Sequence, residues 1–111
     1  MSVPEVGTEE ARALLASGGV LLDVREPDEW AAGHAPDATF VPLGTVPARI
    51  DELPRDRSIV VVCRSGGRSA RATEFLAAQG FDVVNLSGGM KAWAEAGLQV
   101  ETDDGTPGVV A

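Results

Sequence analysis

The chain has one cysteine, Cys63, preceded by the apolar run Ile59-Val60-Val61-Val62 and followed by Arg64-Ser65-Gly66-Gly67-Arg68-Ser69. A strand that ends in cysteine, then a glycine-rich turn, then a helical pattern aims backbone N–H groups and a helix N-terminus at one sulfur. Such a setting suits a thiolate, the nucleophilic form, because dipole ends and guanidinium groups lower a thiol pKa from roughly 8.5 into the range of about 3.5–7.5. Gly66 and Gly67 can take positive φ and let the backbone curl around the sulfur. Cys63 is therefore the candidate nucleophile, and Arg64, Ser65, Gly66, Gly67, Arg68 and Ser69 form the candidate binding loop.

Charge around this loop differs from charge elsewhere. Arg64, Arg68 and Arg71 fall within eight residues that hold no acid, in a chain of net charge −8. A positive patch on an acidic body attracts a small anion, while the body repels polyanions, so nucleic acid is not an expected partner. Arg64 and Arg68 lie inside the turn, whereas Arg71 reads as a solvated helix residue. His34 is the only histidine. Its setting in Gly33-His34-Ala35-Pro36-Asp37-Ala38 is a turn, which favours a hydrogen-bonded structural residue over a general base for Cys63. One cysteine and one histidine cannot make the four-ligand shell of structural zinc, and neither metal nor cofactor is expected. A lone cysteine forms no internal disulfide, so any disulfide or persulfide chemistry involves another molecule.

The elements that must position the loop alternate between helical and strand patterns. Glu9 to Ala16 reads as a helix capped by Thr8 and stopped by Gly18, and Val20 to Asp23 as a buried strand. A short helix over Glu26 to Ala32 has Pro27 in its first turn and Gly33 at its end. Thr39-Phe40-Val41 reads as a strand and Val46 to Leu53 as a weak helix ended by Pro54. Ile59 to Val62 is the clearest strand, since consecutive β-branched residues belong inside a parallel sheet covered on both faces. Ser69 to Gln79 follows as a helix capped by Ser69, then a strand over Asp82 to Leu86, a helix over Met90 to Ala96, and an extended piece at Gln99-Val100-Glu101. Alternation of this kind implies an α/β domain with a central, largely parallel sheet and helices on both faces. Ligands of such sheets bind at the carboxyl ends of strands. Asp23 and Arg25 share that end with Cys63. They are candidate supporting residues, or a salt bridge tying the following helix to the sheet.

At 111 residues the chain holds one domain, expected over 1–101, followed by a polar and flexible tail over 102–111. No segment approaches the ~18 consecutive apolar residues of a spanning helix. Met1-Ser2-Val3-Pro4-Glu5 does not read as a signal peptide, which makes a cytoplasmic location the expectation.

Four stretches in register resemble the rhodanese family, from about Glu5 to Val100. They are Leu21-Leu22-Asp23-Val24-Arg25-Glu26-Pro27-Asp28-Glu29-Trp30, Gly33-His34 to Ala38, Cys63 to Ser69, and Leu86-Ser87-Gly88-Gly89-Met90-Lys91-Ala92-Trp93. The resemblance implies a single rhodanese-like α/β domain whose cysteine carries a sulfane sulfur as a persulfide. Ala35 stands where the family usually has a larger aliphatic residue, and Asp37 where it usually has glycine.

What the resemblance implies is a sulfurtransferase. Cys63 would take sulfur from a small anionic donor such as thiosulfate, or from a persulfide, and pass it to a thiol or to cyanide. Arg64 and Arg68 would attract the donor, and the loop N–H groups would stabilise the persulfide. Two-domain members carry another thiosulfate-binding arginine near the Asp-x-Arg stretch, where this chain has Asp28-Glu29, which weakens the case for thiosulfate. Rhodanese-like domains also serve as persulfide relays to a sulfur-accepting protein or as interaction modules, and that reading stays open beside free turnover. Cysteine phosphatases and arsenate reductases place five residues between cysteine and arginine, against four here, and their chemistry is disfavoured.

Overall fold

The computed structural model describes residues 3–111. Five strands form one sheet: β1 (Glu5–Val6), β2 (Val20–Asp23), β3 (Thr39–Phe40), β4 (Ile59–Val62) and β5 (Val83–Leu86), in the order β1-β5-β4-β2-β3. Every pairing is parallel, with Asp23 opposite Val62 and Val61 opposite Asn85. The helices are α1 (Thr8–Ala16), α2 (Pro27–Ala32), α3 (Gly67–Ala78) and α4 (Gly89–Glu95). The expected α/β architecture is the one observed.

β4 lies at the centre, and its side chains alternate between two cores. Ile59, Val61 and Cys63 face Ala72 and Leu76 of α3. Val60 and Val62 face Ala11 of α1 and Met90 and Trp93 of α4. All four β4 residues are fully buried, each such side chain contributing about 1.5–3 kcal/mol. The strand that carries Cys63 is thus held from both sides.

Several boundaries shift by a residue or two. α1 is capped by Gly7, whose carbonyl accepts from Ala11 N–H at 3.0 Å, so Thr8 takes the first helical position instead of the cap. α3 starts at Gly67 with Gly66 as cap at φ 111°, two residues before Ser69, whose hydroxyl is turned to the sulfur instead. The weak helix expected over Val46 to Leu53 is instead 3₁₀ structure, Leu43–Thr45 followed by Pro47–Glu52, the second segment kinked at Arg49 with φ −109° and ψ 15°. β1 escapes notice in the sequence because it is two residues long with one apolar side chain.

The segment 102–111, read as a flexible tail, is folded back on the body. His34 and Glu101 exchange backbone hydrogen bonds at 2.8 Å, Gly108 N–H donates to Val100 O at 2.9 Å, and Val109 N–H to Ala32 O at 3.0 Å. Close approach makes this possible: a Cβ on Gly33 would lie 2.6 Å from Val109 N, and one on Gly108 2.7 Å from Gly33 Cα. Val110 packs against the second core. Composition alone reads such a polar stretch as loose, whereas the glycine contacts, the backbone hydrogen bonds and Val110 give it a track to lie in.

Candidate active site

Cys63 ends β4 on the α3 side, with the residue 1% exposed. Its Sγ accepts from Gly66 N–H at 3.1 Å and lies 3.4 Å from the Ser69 hydroxyl. Burial pushes the thiol pKa up, but the Ser69 hydroxyl and the N–H groups of Ser69, Gly66 and Ser65 outweigh it, and the net direction is down. The net direction favours the thiolate form, through the Ser69 hydroxyl first and the backbone N–H groups with it.

The cradle keeps its shape because its carbonyls are tied outward. Met90 N–H at the start of α4 donates to Cys63 O at 2.8 Å, and Lys91 N–H to Arg64 O at 3.0 Å. Gly89, at φ 58°, permits this approach; a Cβ there would lie 2.7 Å from the Arg64 carbonyl carbon. Asn85 Nδ2 donates to Gly66 O at 3.1 Å and to Glu5 Oε2 at 3.0 Å. A trans peptide points its N–H opposite to its C=O. The Arg64 carbonyl, fixed outward, thus turns the Ser65 N–H toward the sulfur.

The two loop arginines are both engaged. Arg68 makes a two-pronged ion pair with Glu29, Nη1 to Oε1 at 2.6 Å and Nη2 to Oε2 at 2.8 Å. Glu29 also accepts from Glu26 N–H at 3.0 Å, as half of the capping box that starts α2. The Arg68 guanidinium first, and the Glu26 N–H with it, lower the Glu29 pKa to about 2 against a smaller opposing effect of burial. Arg64 is exposed, and its Nε donates to the carbonyl of Ala111 at 3.0 Å, so the folded-back segment ends at the loop. Ser65 and Gly67 are exposed at the mouth.

Asp23 and Arg25 pair with each other. Arg25 Nη2 and Nε reach the Asp23 carboxylate at 2.8–3.1 Å, both residues are fully buried, and Nη2 also donates to Gly33 O at 2.8 Å. This is the tie between the sheet and the end of α2. His34 stacks on Trp30 with centroids 3.6 Å apart, its Nδ1 lies 2.9 Å from Trp30 O, and its Nε2 lies 3.6 Å from Asp103. Those contacts tie His34 to α2 and to Asp103 of the folded-back segment, and the groups that lower the Cys63 pKa are others. Asn85 and the Glu29 carboxylate are the site residues that motif reading passed over. The signal for Asn85 is an amide inside the otherwise apolar stretch Val83-Val84-Asn85-Leu86.

Comparison with known proteins gives concordant results. The family model of the rhodanese-like domain matches residues 7–96. A protein of Allochromatium vinosum named sulfurtransferase is 42% identical over 106 residues, spanning 93% of this chain and 99% of that one. The thiosulfate sulfurtransferase GlpE of Pseudomonas syringae pv. syringae is 38% identical, spanning 77% of this chain and 81% of its own. Among solved structures, a rhodanese-related protein from Thermoplasma volcanium superposes with a TM-score of 0.82 at 31% identity, covering 87% of this chain and 96% of that one.

Proposed function

This chain belongs to the rhodanese-like domain family, and from that premise we propose that it is a sulfurtransferase that carries sulfane sulfur as a Cys63 persulfide. The observation that supports this most is the sulfur itself: a buried Cys63 Sγ that accepts from Gly66 N–H at 3.1 Å and has the Ser69 hydroxyl at 3.4 Å, its thiol pKa lowered by these groups and by the N–H groups of Ser65 and Ser69. In the first half-reaction the Cys63 thiolate attacks the outer sulfur of a donor R–S–S⁻. The Cys63–sulfur bond forms as the donor's S–S bond breaks, and R–S⁻ leaves with that electron pair. In the second half-reaction an acceptor thiolate attacks the outer sulfur and Cys63 leaves as thiolate. No net redox change occurs, and the same N–H groups hold the anion in both steps.

The charge layout favours a singly charged persulfide donor over doubly charged thiosulfate. Arg68 is neutralised by Glu29, and Arg64 is the exposed cation of the loop. The same pairing weighs against phosphatase chemistry, which needs an arginine turned into the loop to meet a tetrahedral oxyanion. Arg64 is assigned to donor binding through its side chain and Ser65, Gly66, Gly67, Arg68 and Ser69 as the rest of the binding loop, with Asp23 and Arg25 in support. Residues 1–101 form the sulfur-transferring unit in this reading, and a thiol or cyanide serves as acceptor.

Intact mass after exposure to glutathione persulfide and to thiosulfate tests the proposal. One added sulfur atom on wild type, absent from Cys63→Ser and removed by cyanide with release of thiocyanate, is the expected result. A wild-type mass unchanged by every donor would overturn it.

A further inference from the structure

We propose that Asn85 is a positioning residue for the sulfur, acting through the peptide between Gly66 and Gly67; this rests on reading Cys63 as the sulfur carrier. Of the ties that hold the cradle's carbonyls outward, those to Cys63 and Arg64 come from backbone N–H groups of α4. At Gly66 the carbonyl accepts from two donors, Ala70 N–H of α3 at 3.0 Å and the Asn85 side chain at 3.1 Å, and the side-chain tie is the one that a substitution can remove. Asn85 is fully buried on β5, directly beside Val61 of the strand that leads to Cys63. Both groups facing its Nδ2, the Glu5 carboxylate and the Gly66 carbonyl, are acceptors, which fixes the amide's orientation.

That orientation leaves Asn85 Oδ1 buried without a partner. An unmet buried acceptor is costly, and a leucine of similar volume would avoid the cost on the sheet face that Val61 and Val83 share. The amide is nevertheless there, and what it adds is a second hold on the Gly66 carbonyl, beside the Ala70 N–H of α3 at 3.0 Å. With that carbonyl held against Asn85, the N–H of Gly67 points away from Asn85, at the open N-terminus of α3 next to the sulfur. The Gly66 N–H already meets Sγ. Asn85, by holding the same residue at its carbonyl, steadies that donor on the thiol sulfur, and the Cys63 pKa reads the donor's strength.

The test separates this role from a purely structural one, because the two predict opposite stability changes. Asn85→Leu removes an unmet acceptor and leaves no new one, since Gly66 O keeps Ala70 N–H at 3.0 Å and Glu5 is exposed to water. Its unfolding midpoint is expected to equal or exceed that of wild type. Its Cys63 pKa, read from the pH profile of iodoacetamide alkylation, is expected to rise by about half to one unit, slowing alkylation at neutral pH about three- to tenfold. A control in the same strand, Val84→Ala, loses stability and keeps the wild-type profile. A folded Asn85→Leu protein that titrates like wild type overturns the proposal. Should Asn85→Leu not fold, NMR of wild type decides: the Asn85 Nδ2 protons and the Gly67 amide must shift with Cys63 ionisation, and their insensitivity would equally overturn it. Alkylation and ionisation need no sulfur donor, so failure of sulfur uptake leaves this result readable on its own.

Discussion

The ion pair between Glu29 and Arg68 makes a prediction whose size and pH range both follow from its geometry. Replacing Glu29 by Gln keeps an acceptor for Glu26 N–H, so the α2 cap survives while the charge is lost. In the folded protein the Glu29 pKa is lowered from 4.5 to about 2. At about 1.4 kcal/mol per unit this corresponds to an upper bound of about 3.4 kcal/mol. The Arg68 side chain is 34% exposed, and solvent screening reduces the usable part to about 1–2 kcal/mol. Because the folded pKa lies below the unfolded one, the contribution is complete above about pH 4.5 and is lost as pH falls toward 2. Urea unfolding of wild type and Glu29→Gln between pH 7 and pH 2 should therefore show a gap of about 1–2 kcal/mol that closes below pH 4.5. A gap that stays constant to the lowest pH, or no gap at neutral pH, would refute the argument. Glu29→Gln also releases Arg68 toward the loop mouth, and a lower KM for thiosulfate should accompany the loss of stability.

Other expected outcomes follow from contacts already described. Arg64→Ala raises KM for thiosulfate and leaves the pH profile of Cys63 alkylation unchanged, as the groups that stabilise the thiolate are Ser69 and backbone N–H groups. Arg25→Met strands the fully buried Asp23 carboxylate and costs about 3–5 kcal/mol in urea unfolding. His34→Asn retains most sulfur transfer in a cyanide assay while losing about 1 kcal/mol from the Trp30 stack. Asp37, the only described non-glycine residue at positive φ, at 63°, becomes more comfortable as glycine. Asp37→Gly raises stability by about 0.5–1 kcal/mol, measurable as an upward shift in Tm.

Local chemistry was legible in the sequence where one stretch of chain holds all its parts. The β-branched run before Cys63 specifies a covered strand, and its alternation sends Cys63 to the α3 face together with Val61. Gly66 and Gly67 mark the turn whose N–H groups meet the sulfur. Asp37 lies at a position where left-handed backbone explains a family preference for glycine. What stayed hidden depends on residues brought together from afar. Glu29 and Arg68 are 39 positions apart, and no spacing rule announces that one will neutralise the other. Ser69 reads as a helix cap from its type, yet the glycine at 66 takes that position and the serine hydroxyl goes to the sulfur. Asn85 looks like a flaw in a strand until the Gly66 carbonyl is seen beside it. The pairing of Asp23 with Arg25 was one of two readings that type and spacing allowed, and burial selects it.

The folded-back segment has a practical corollary for handling the protein. Its path runs from Glu101 at His34 to Ala111 at Arg64, so whatever is joined after Ala111 leaves the body at the rim of the sulfur loop. An affinity tag placed there shares space with every incoming donor, and a flexible tether placed there carries its cargo to the same rim. Fusing an acceptor protein at that point would raise its local concentration at Cys63 without any designed interface. The same fusion gives a direct way to ask whether transfer is limited by encounter or by chemistry.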